Sequence, residues 1–326
     1  MKWESLTHKK RTLDVLKSLP AALVSNLDDW FAVELTYTSN AIEGNTLTRR
    51  ETAVVIEKGL TVGGKSMREH LEAANHARAL EFVRTRAERK PAIITARDIL
   101  TIHGLILKGI DDDNAGAYRS VPVRIAGSSV VLPNPRKVPV LMDEFEAWLG
   151  TRNKLHPAAF ASEAHYRFVS IHPFVDGNGR AARLLMNLLL LQRGYPPAII
   201  PKKDRLAYIG ALEKAQLGGA KDDYERIVYK AVDRSLDIYL KAVRGEAAFG
   251  SDDDSDELLK IGELAKAAGQ TVPTIRYWTH EGLLDVAEVT ESGYTMYGRE
   301  MTARCELIKK LKAQRLTLAE IKTRMK

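Results

Sequence analysis

The chain has 326 residues, with 49 Lys+Arg against 42 Asp+Glu for a net charge of +7, and 45% apolar against 28% charged residues. Those values exclude wholesale disorder and suggest roughly two domains. A single cysteine, Cys305, excludes an intramolecular disulfide framework and a Cys-rich zinc site, and fits a reducing compartment. The start, Met1-Lys2-Trp3-Glu4-Ser5, carries charge where a secretory signal needs an apolar core, and no run of about 18 uncharged apolar residues is present to span a membrane. The expectation is a cytoplasmic protein of bacterial type, with no membrane partner and a basic bias that permits an anionic one.

In chain order, Thr48-Arg49-Arg50-Glu51 reads as a capping box leading into a helix over 52–59. Residues 66–86 place apolar side chains at helical spacing, and 96–107 and 140–149 do likewise. Residues 120–132 break the pattern. Val121, Val123 and Ile125 alternate, then Gly127-Ser128-Ser129 turns, then Val130-Val131-Leu132 follows, which predicts a short β-hairpin in a helical domain. Pro157 opens a helix running to Ile171, 180–193 forms another stopped by Gly194 and Pro196, and 224–243 is a last long one. Residues 249–257 hold five acids and no base, so self-repulsion keeps them extended as a linker. The tail beyond it, 258–326, is basic, at +4. The expected organisation is an N-terminal helical region over 1–90, a catalytic region over 91–247, an acidic linker over 248–257 and a small domain over 258–326.

The chemistry concentrates in His172-Pro173-Phe174-Val175-Asp176-Gly177-Asn178-Gly179-Arg180-Ala181-Ala182-Arg183. A helix ends before this string and another begins within it. Gly177, Asn178 and Gly179 can present backbone N–H groups at the new N-terminus, an anion cradle. Arg180 and Arg183 share a helix face and can grip phosphates. Asp176 would repel a phosphate unless it binds a cation, and Mg²⁺ bridges carboxylate and phosphate oxygens. His172 can take a proton from a hydroxyl at neutral pH.

The string resembles the signature of the Fic family, His-x-Phe-x-Asp/Glu-Gly-Asn-Gly-Arg-x-x-Arg, at every fixed position. The resemblance implies a Fic-type helical fold and transfer of AMP from ATP to a Ser, Thr or Tyr hydroxyl of a target protein, or of the chain itself. By that likeness His172 is the base, Asp176 holds Mg²⁺, Gly177, Asn178, Gly179 and Arg180 form the anion hole, and Arg183 contacts the γ-phosphate. Gly177 and Gly179 argue against the phosphorylating Doc branch, which carries Ala-Asn-Lys there. The segment after Gly116-Ala117-Tyr118-Arg119, with Val123, Ile125 and Gly127, resembles the family's flap, which holds a target by strand addition. Tyr208 could stack on the adenine or sit in the core; the pattern leaves both open. Ser39-Asn40-Ala41-Ile42-Glu43-Gly44 resembles the family's N-terminal inhibitory motif, in which Glu43 would pair with Arg183 and occupy the γ-phosphate site. By contrast, 59–66 satisfies the phosphate-loop pattern G-x-x-x-x-G-K-S but follows a helical stretch, so it is read as a helix–helix connection.

In the tail, Ile261 to Gly269 and Val272 to Glu281 read as two short helices around a tight turn, a helix-turn-helix, followed by a β wing over 291–297. Thr274, Arg276 and Tyr277 would face base edges and phosphates of duplex DNA, with Tyr294 on the wing. The order resembles the DNA-binding domain of MerR-family regulators, notably Thr274-Ile275-Arg276-Tyr277, Glu281-Gly282-Leu283 and Glu291-Ser292-Gly293-Tyr294. Thr295 departs from the usual Arg, and Trp278-Thr279 from Tyr-Glu. Dimerisation, which two half-sites need, is expected through the Fic part. The rival reading is a DNA-binding transcriptional regulator whose Fic part is a nucleotide sensor or removes AMP.

Overall fold

The computed structural model describes residues 3–15, 21–89, 93–151, 155–246, 258–286, 288–289, 294–298, 300–313 and 318–324. The chain divides into two compact units, Met1–Phe249 and Gly250–Lys326. The acidic linker expected over 248–257 lies outside the described residues.

The first unit is helical: α1 (Glu4–Val15), α2 (Ala21–Ile42), α3 (Arg49–Lys58), α4 (Met67–Glu88), α5 (Ala96–Leu107), α6 (Val138–Leu149), α7 (Pro157–Ile171), α8 (Asn178–Gln192), α9 (Arg205–Gln216) and α10 (Asp222–Val243). Local chemistry sets several starts. Thr48, Ser66 and Thr95 each cap a helix, with Glu51, Glu69 and Asp98 reaching back to complete the box. The apolar run of α8 is buried on nearly every face, and α7, α4 and α5 pack around it. One core therefore runs from Trp3 and Phe31 through Leu80, Phe168 and Leu188 to Val232. The division expected near residue 90 does not separate two cores, because α4 packs on both α5 and α8.

The segment 120–132 differs from the expected hairpin. It is extended and turned, with Ser128 N–H donating to the Ile125 carbonyl (3.2 Å) and Gly127 at φ 75°, but it holds no paired strands. Val121 and Val131 are exposed, while Val123 and Ile125 are partly buried without a strand partner. The string 59–66 connects α3 to α4, as read. Its would-be phosphate contacts are taken: Lys65 donates to the Thr46 carbonyl (2.7 Å), and Glu69 fills the cap at Ser66. Burial opposes charge on Glu69, but hydrogen bonds from Thr46 and Ser66 outweigh it and hold its carboxyl down to about 2.

The second unit contains β1 (Leu259–Lys260), α11 (Ile261–Ala267), α12 (Val272–His280), β2 (Glu288–Val289), β3 (Thr295–Tyr297), α13 (Glu300–Ala313) and α14 (Leu318–Arg324). The antiparallel sheet has the order β1-β3-β2. Thr271 caps α12 by accepting from Thr274 N–H. Leu264, Ile275, Trp278, Tyr297, Cys305 and Ile308 share the small core, so Trp278 and Cys305 are packing residues. Residues 291–293 of the expected wing lie outside the described residues.

Burial holds four imidazoles of the first unit neutral: His76 and His165 are pushed down to about 3, His103 and His172 to about 4. Unfolded, each titrates near about 6.5. Between those values the unfolded chain binds protons that the fold refuses. Stability is therefore full above about pH 6.5 and falls as pH drops toward the folded values. Thermal melts should show a midpoint that decreases steadily from about pH 7 to about pH 5; a flat or rising midpoint would contradict this assignment.

Candidate active site

The loop from α7 to α8 is built by its own side chains. α7 ends where His172 takes φ 52°, the one positive φ outside glycine among the described residues. That conformation costs a β-carbon residue about 1–2 kcal/mol, so contacts elsewhere must hold it. Asn178 ties the loop to the first turn of α8: its Oδ1 accepts from Phe174 N–H and its Nδ2 donates to the Phe174 carbonyl, both at 2.9 Å. The Asn178 side chain thus shapes the loop and leaves its amide free for an anion.

Phe174 stacks face to face on His103, with ring centroids 3.5 Å apart. His103 accepts from Gly116 N–H at Nδ1 (3.0 Å), which fixes the proton on Nε2, and Nε2 donates to the Asp176 carbonyl (2.9 Å). Gly177 opens α8 at φ 76°, and a Cβ there would come within 3.3 Å of the His103 ring. His103 gave no signal in the sequence, because it sits inside the apolar pattern of α5.

Two guanidinium groups are buried in the first turns of α8. Arg183 donates to Ser39 Oγ (3.0 Å), to the Ser39 carbonyl (2.9 Å) and to Glu43 Oε1 (2.6 Å). Arg180 forms ion pairs with Glu72 (3.5 Å) and Asp176 (3.4 Å), while its Nε makes no hydrogen bond. Asp176 accepts from Gly177 N–H (2.6 Å) and from Arg68 (3.0 Å). Gly177 N–H is therefore engaged, and the amides of Asn178, Gly179 and Arg180 remain as the cradle. A Cβ on Gly179 would overlap Glu43 Oε1, so the Glu43 carboxylate lies against the cradle itself. Gly44, at φ 102°, ends the turn after α2, and Arg205 of α9 donates to the Ile42 carbonyl (2.6 Å).

A cavity of about 160 Å³ lies between these groups, lined by Glu43, Ile125, His172, Gly179, Arg183 and Tyr208. Its edge is tied across, because Glu213 of α9 accepts from Ser128 Oγ (2.8 Å) and Ser129 N–H (2.9 Å). Val123 is partly buried and Gly127 is exposed. The His172 ring is neutral at ordinary pH because burial outweighs support from the Val169 carbonyl, and the Arg119 charge pushes the same way.

Tyr208 packs in the core and also lines the cavity: it is 2% exposed and its hydroxyl meets His165 Nε2 at 2.7 Å. Tyr224 donates to the Ser162 carbonyl (2.9 Å), so its oxygen accepts from His165 Nδ1–H (2.9 Å). Nε2 must then accept from Tyr208, whose oxygen faces Arg183. The chain Arg183, Tyr208, His165, Tyr224 has one proton direction, fixed at a backbone carbonyl.

The donor set fits a polyphosphate: three free amides, and a buried guanidinium with an unpartnered nitrogen. No cluster of three or more His, Cys, Asp or Glu side chains is placed to hold a metal among the described residues. Asp176, with a partly exposed carboxylate, fits Mg²⁺ only jointly with phosphate oxygens. In the second unit, Arg276 and Tyr277 are exposed on α12, while Thr274 is partly buried with its hydroxyl on Thr271 (2.8 Å). Tyr294 is exposed, with the Lys260 amine 5.7 Å from its ring centre.

The fold and site define a helical domain with a histidine-led, glycine-capped anion cradle at the start of its central helix. Residues 93–190 match the model of the Fic/DOC family, and 259–326 match that of the MerR HTH family regulatory protein. Protein adenylyltransferase Fic of Drosophila mojavensis is 36% identical over 263 residues, 73% of this chain and 51% of that relative. The Drosophila grimshawi protein of the same name is 38% identical over 240 residues, 73% and 49% of the two chains. The chain thus spans about half the length of the curated relatives it matches. Fic-1 from C. elegans superposes with a TM-score of 0.67 at 31% identity, over 74% of this chain and 72% of that one. A Fic domain containing signaling protein from Bacteroides thetaiotaomicron gives 0.68 at 29%, over 76% and 99%. This chain belongs to the Fic/DOC family and carries a MerR-type helix-turn-helix at its C-terminal end.

Replacing Tyr208 by Phe leaves His165 Nε2 without its donor in the core. Urea unfolding should show a loss of about 1–3 kcal/mol with an unchanged slope; stability equal to the parent's would break the hydrogen-bond chain described.

Proposed function

We propose that this chain is an ATP-dependent protein adenylyltransferase restrained by Glu43, with a tail that binds duplex DNA. The observation that carries the first part is the ion pair of Glu43 with Arg183, set against the Gly179 cradle and facing the same cavity as a neutral His172.

In this reading the free amides of Asn178, Gly179 and Arg180, with both guanidinium groups, hold the phosphates of ATP. His172 takes the proton from a Ser, Thr or Tyr hydroxyl of a target protein or of the chain itself. The hydroxyl oxygen bonds to the α-phosphorus as the bond to pyrophosphate breaks. Mg²⁺ held by Asp176 and the phosphates would neutralise charge on the leaving group. Orientation and fixed charge supply most of the acceleration. The extended backbone of 120–132 is suited to pair with an extended target segment.

Glu43 restrains transfer by occupying Arg183 and crowding Gly179. The test uses α-labelled ATP with Mg²⁺ and compares the parent, His172→Ala and Glu43→Gly. Glu43→Gly should raise label transfer at least tenfold, and His172→Ala should abolish it. Equal label in all three would leave the sensor reading in place of the enzyme.

For the tail, α12 would enter the major groove with Arg276 and Tyr277 outermost, and two copies paired through the first unit would meet two half-sites. Arg276→Ala should weaken duplex binding and lower the slope of log affinity against log salt by about one. No mobility shift on any duplex at low salt would remove DNA from this reading.

A further inference from the structure

Arg119 is 3% exposed, yet no acidic side chain pairs with it among the described residues. Its guanidinium spends its donors on backbone carbonyls alone. Nε donates to the His172 carbonyl (2.8 Å), Nη1 to that of Val121 (3.3 Å) and Nη2 to that of Pro133 (2.7 Å). Its own amide donates to the Pro173 carbonyl (2.9 Å). Burying a cation without a counter-ion costs several kcal/mol, and a neutral side chain could satisfy one carbonyl more cheaply. What a neutral side chain cannot do is reach three carbonyls at once. Only a planar fork with divergent N–H groups spans them.

The three acceptors are not neighbours in sequence. Val121 and Pro133 are the two ends of the extended flap segment, and His172 carries the left-handed backbone that aims the imidazole. One rigid group therefore closes the base of the flap and grips the strained peptide of the base. We propose that Arg119 is a positioning residue that sets the flap in register with His172, so that the target segment and the imidazole are held by one clamp. The inference rests on the adenylyltransferase reading, in which the flap holds the target and His172 deprotonates its hydroxyl.

The variants are Arg119→Lys, which keeps the charge but loses the fork, and Arg119→Gln, each made in the parent and in Glu43→Gly. Hydrogen–deuterium exchange should show residues 121–132 and the His172 loop opening together, at least tenfold faster in both variants, while α5 and α8 keep their protection. In the Glu43→Gly background, transfer at saturating ATP should fall at least tenfold while the Kd for ATP stays within about twofold. Arg119→Lys with parental exchange in either segment overturns the proposal, because charge alone would then suffice. So does a flap that loosens while the His172 loop keeps its protection. If Glu43→Gly transfers nothing but both segments loosen in concert, the clamp stands and the adenylyltransferase reading fails. If Glu43→Gly is active and Arg119→Lys is equally active, the reading stands and the clamp fails.

Discussion

The first turns of α8 hold two buried guanidinium groups at the positive end of a helix. Three unengaged amides point the same way. Such a concentration of positive charge is untenable in a low-dielectric interior unless anions answer it. In this structure the answer comes from side chains: Glu43 on Arg183, and Glu72 and Asp176 on Arg180. The same demand suits the site to an anionic ligand, and in the proposed function the Glu43 carboxylate and the phosphates of ATP answer one electrostatic need.

The strength of the Glu43–Arg183 ion pair follows from where its carboxylate sits. Glu43 is 40% exposed on its side chain while Arg183 is 7% exposed. The pair lies between a surface ion pair, worth about 0–1 kcal/mol, and a buried one whose disruption costs about 3–5 kcal/mol. Losing Glu43 would leave Arg183 with the Ser39 oxygens and Tyr208 alone. In the proposed function a triphosphate would compete with this carboxylate for the guanidinium within a cavity of about 160 Å³. Steric exclusion adds to the charge term, since Glu43 Oε1 already lies where a Cβ on Gly179 would fall.

Most of the helices were legible because their signals are local. The capping box at Thr48, and glycine or proline stops, act within a few residues; the box at Ser66 is equally local, though the helix at 66–86 is read from its apolar spacing instead. The 172–183 string stood out for the same reason: cradle, arginines and imidazole fall within twelve residues. What stayed hidden acts at long range. His103 and His165 lie in apolar helical patterns, and their tautomers are set by Gly116 and Tyr224, far away in sequence. Arg119 was read with the flap motif, but its hold on His172 crosses 53 residues. The hairpin expected from the alternation at 121–125 does not form paired strands, although the alternation does mark a partly buried face at Val123 and Ile125. Tyr208 could be placed only once His165 supplied a partner for its hydroxyl.

Glu43 follows the last residue of α2, and that end is held by groups other than Arg183. Arg205 grips the Ile42 carbonyl, and Asn45 donates to Glu72, the acid that pairs with Arg180. A ligand competing at Arg183 must break the ion pair directly. Loosening the turn after Ile42 would disturb it indirectly and would remove the Asn45 contact to Glu72, while Arg180 keeps its pair with Asp176. The two arginines are thus fixed within a buried helix, whereas the carboxylate that answers Arg183 sits at a helix end tied by Arg205 and Asn45.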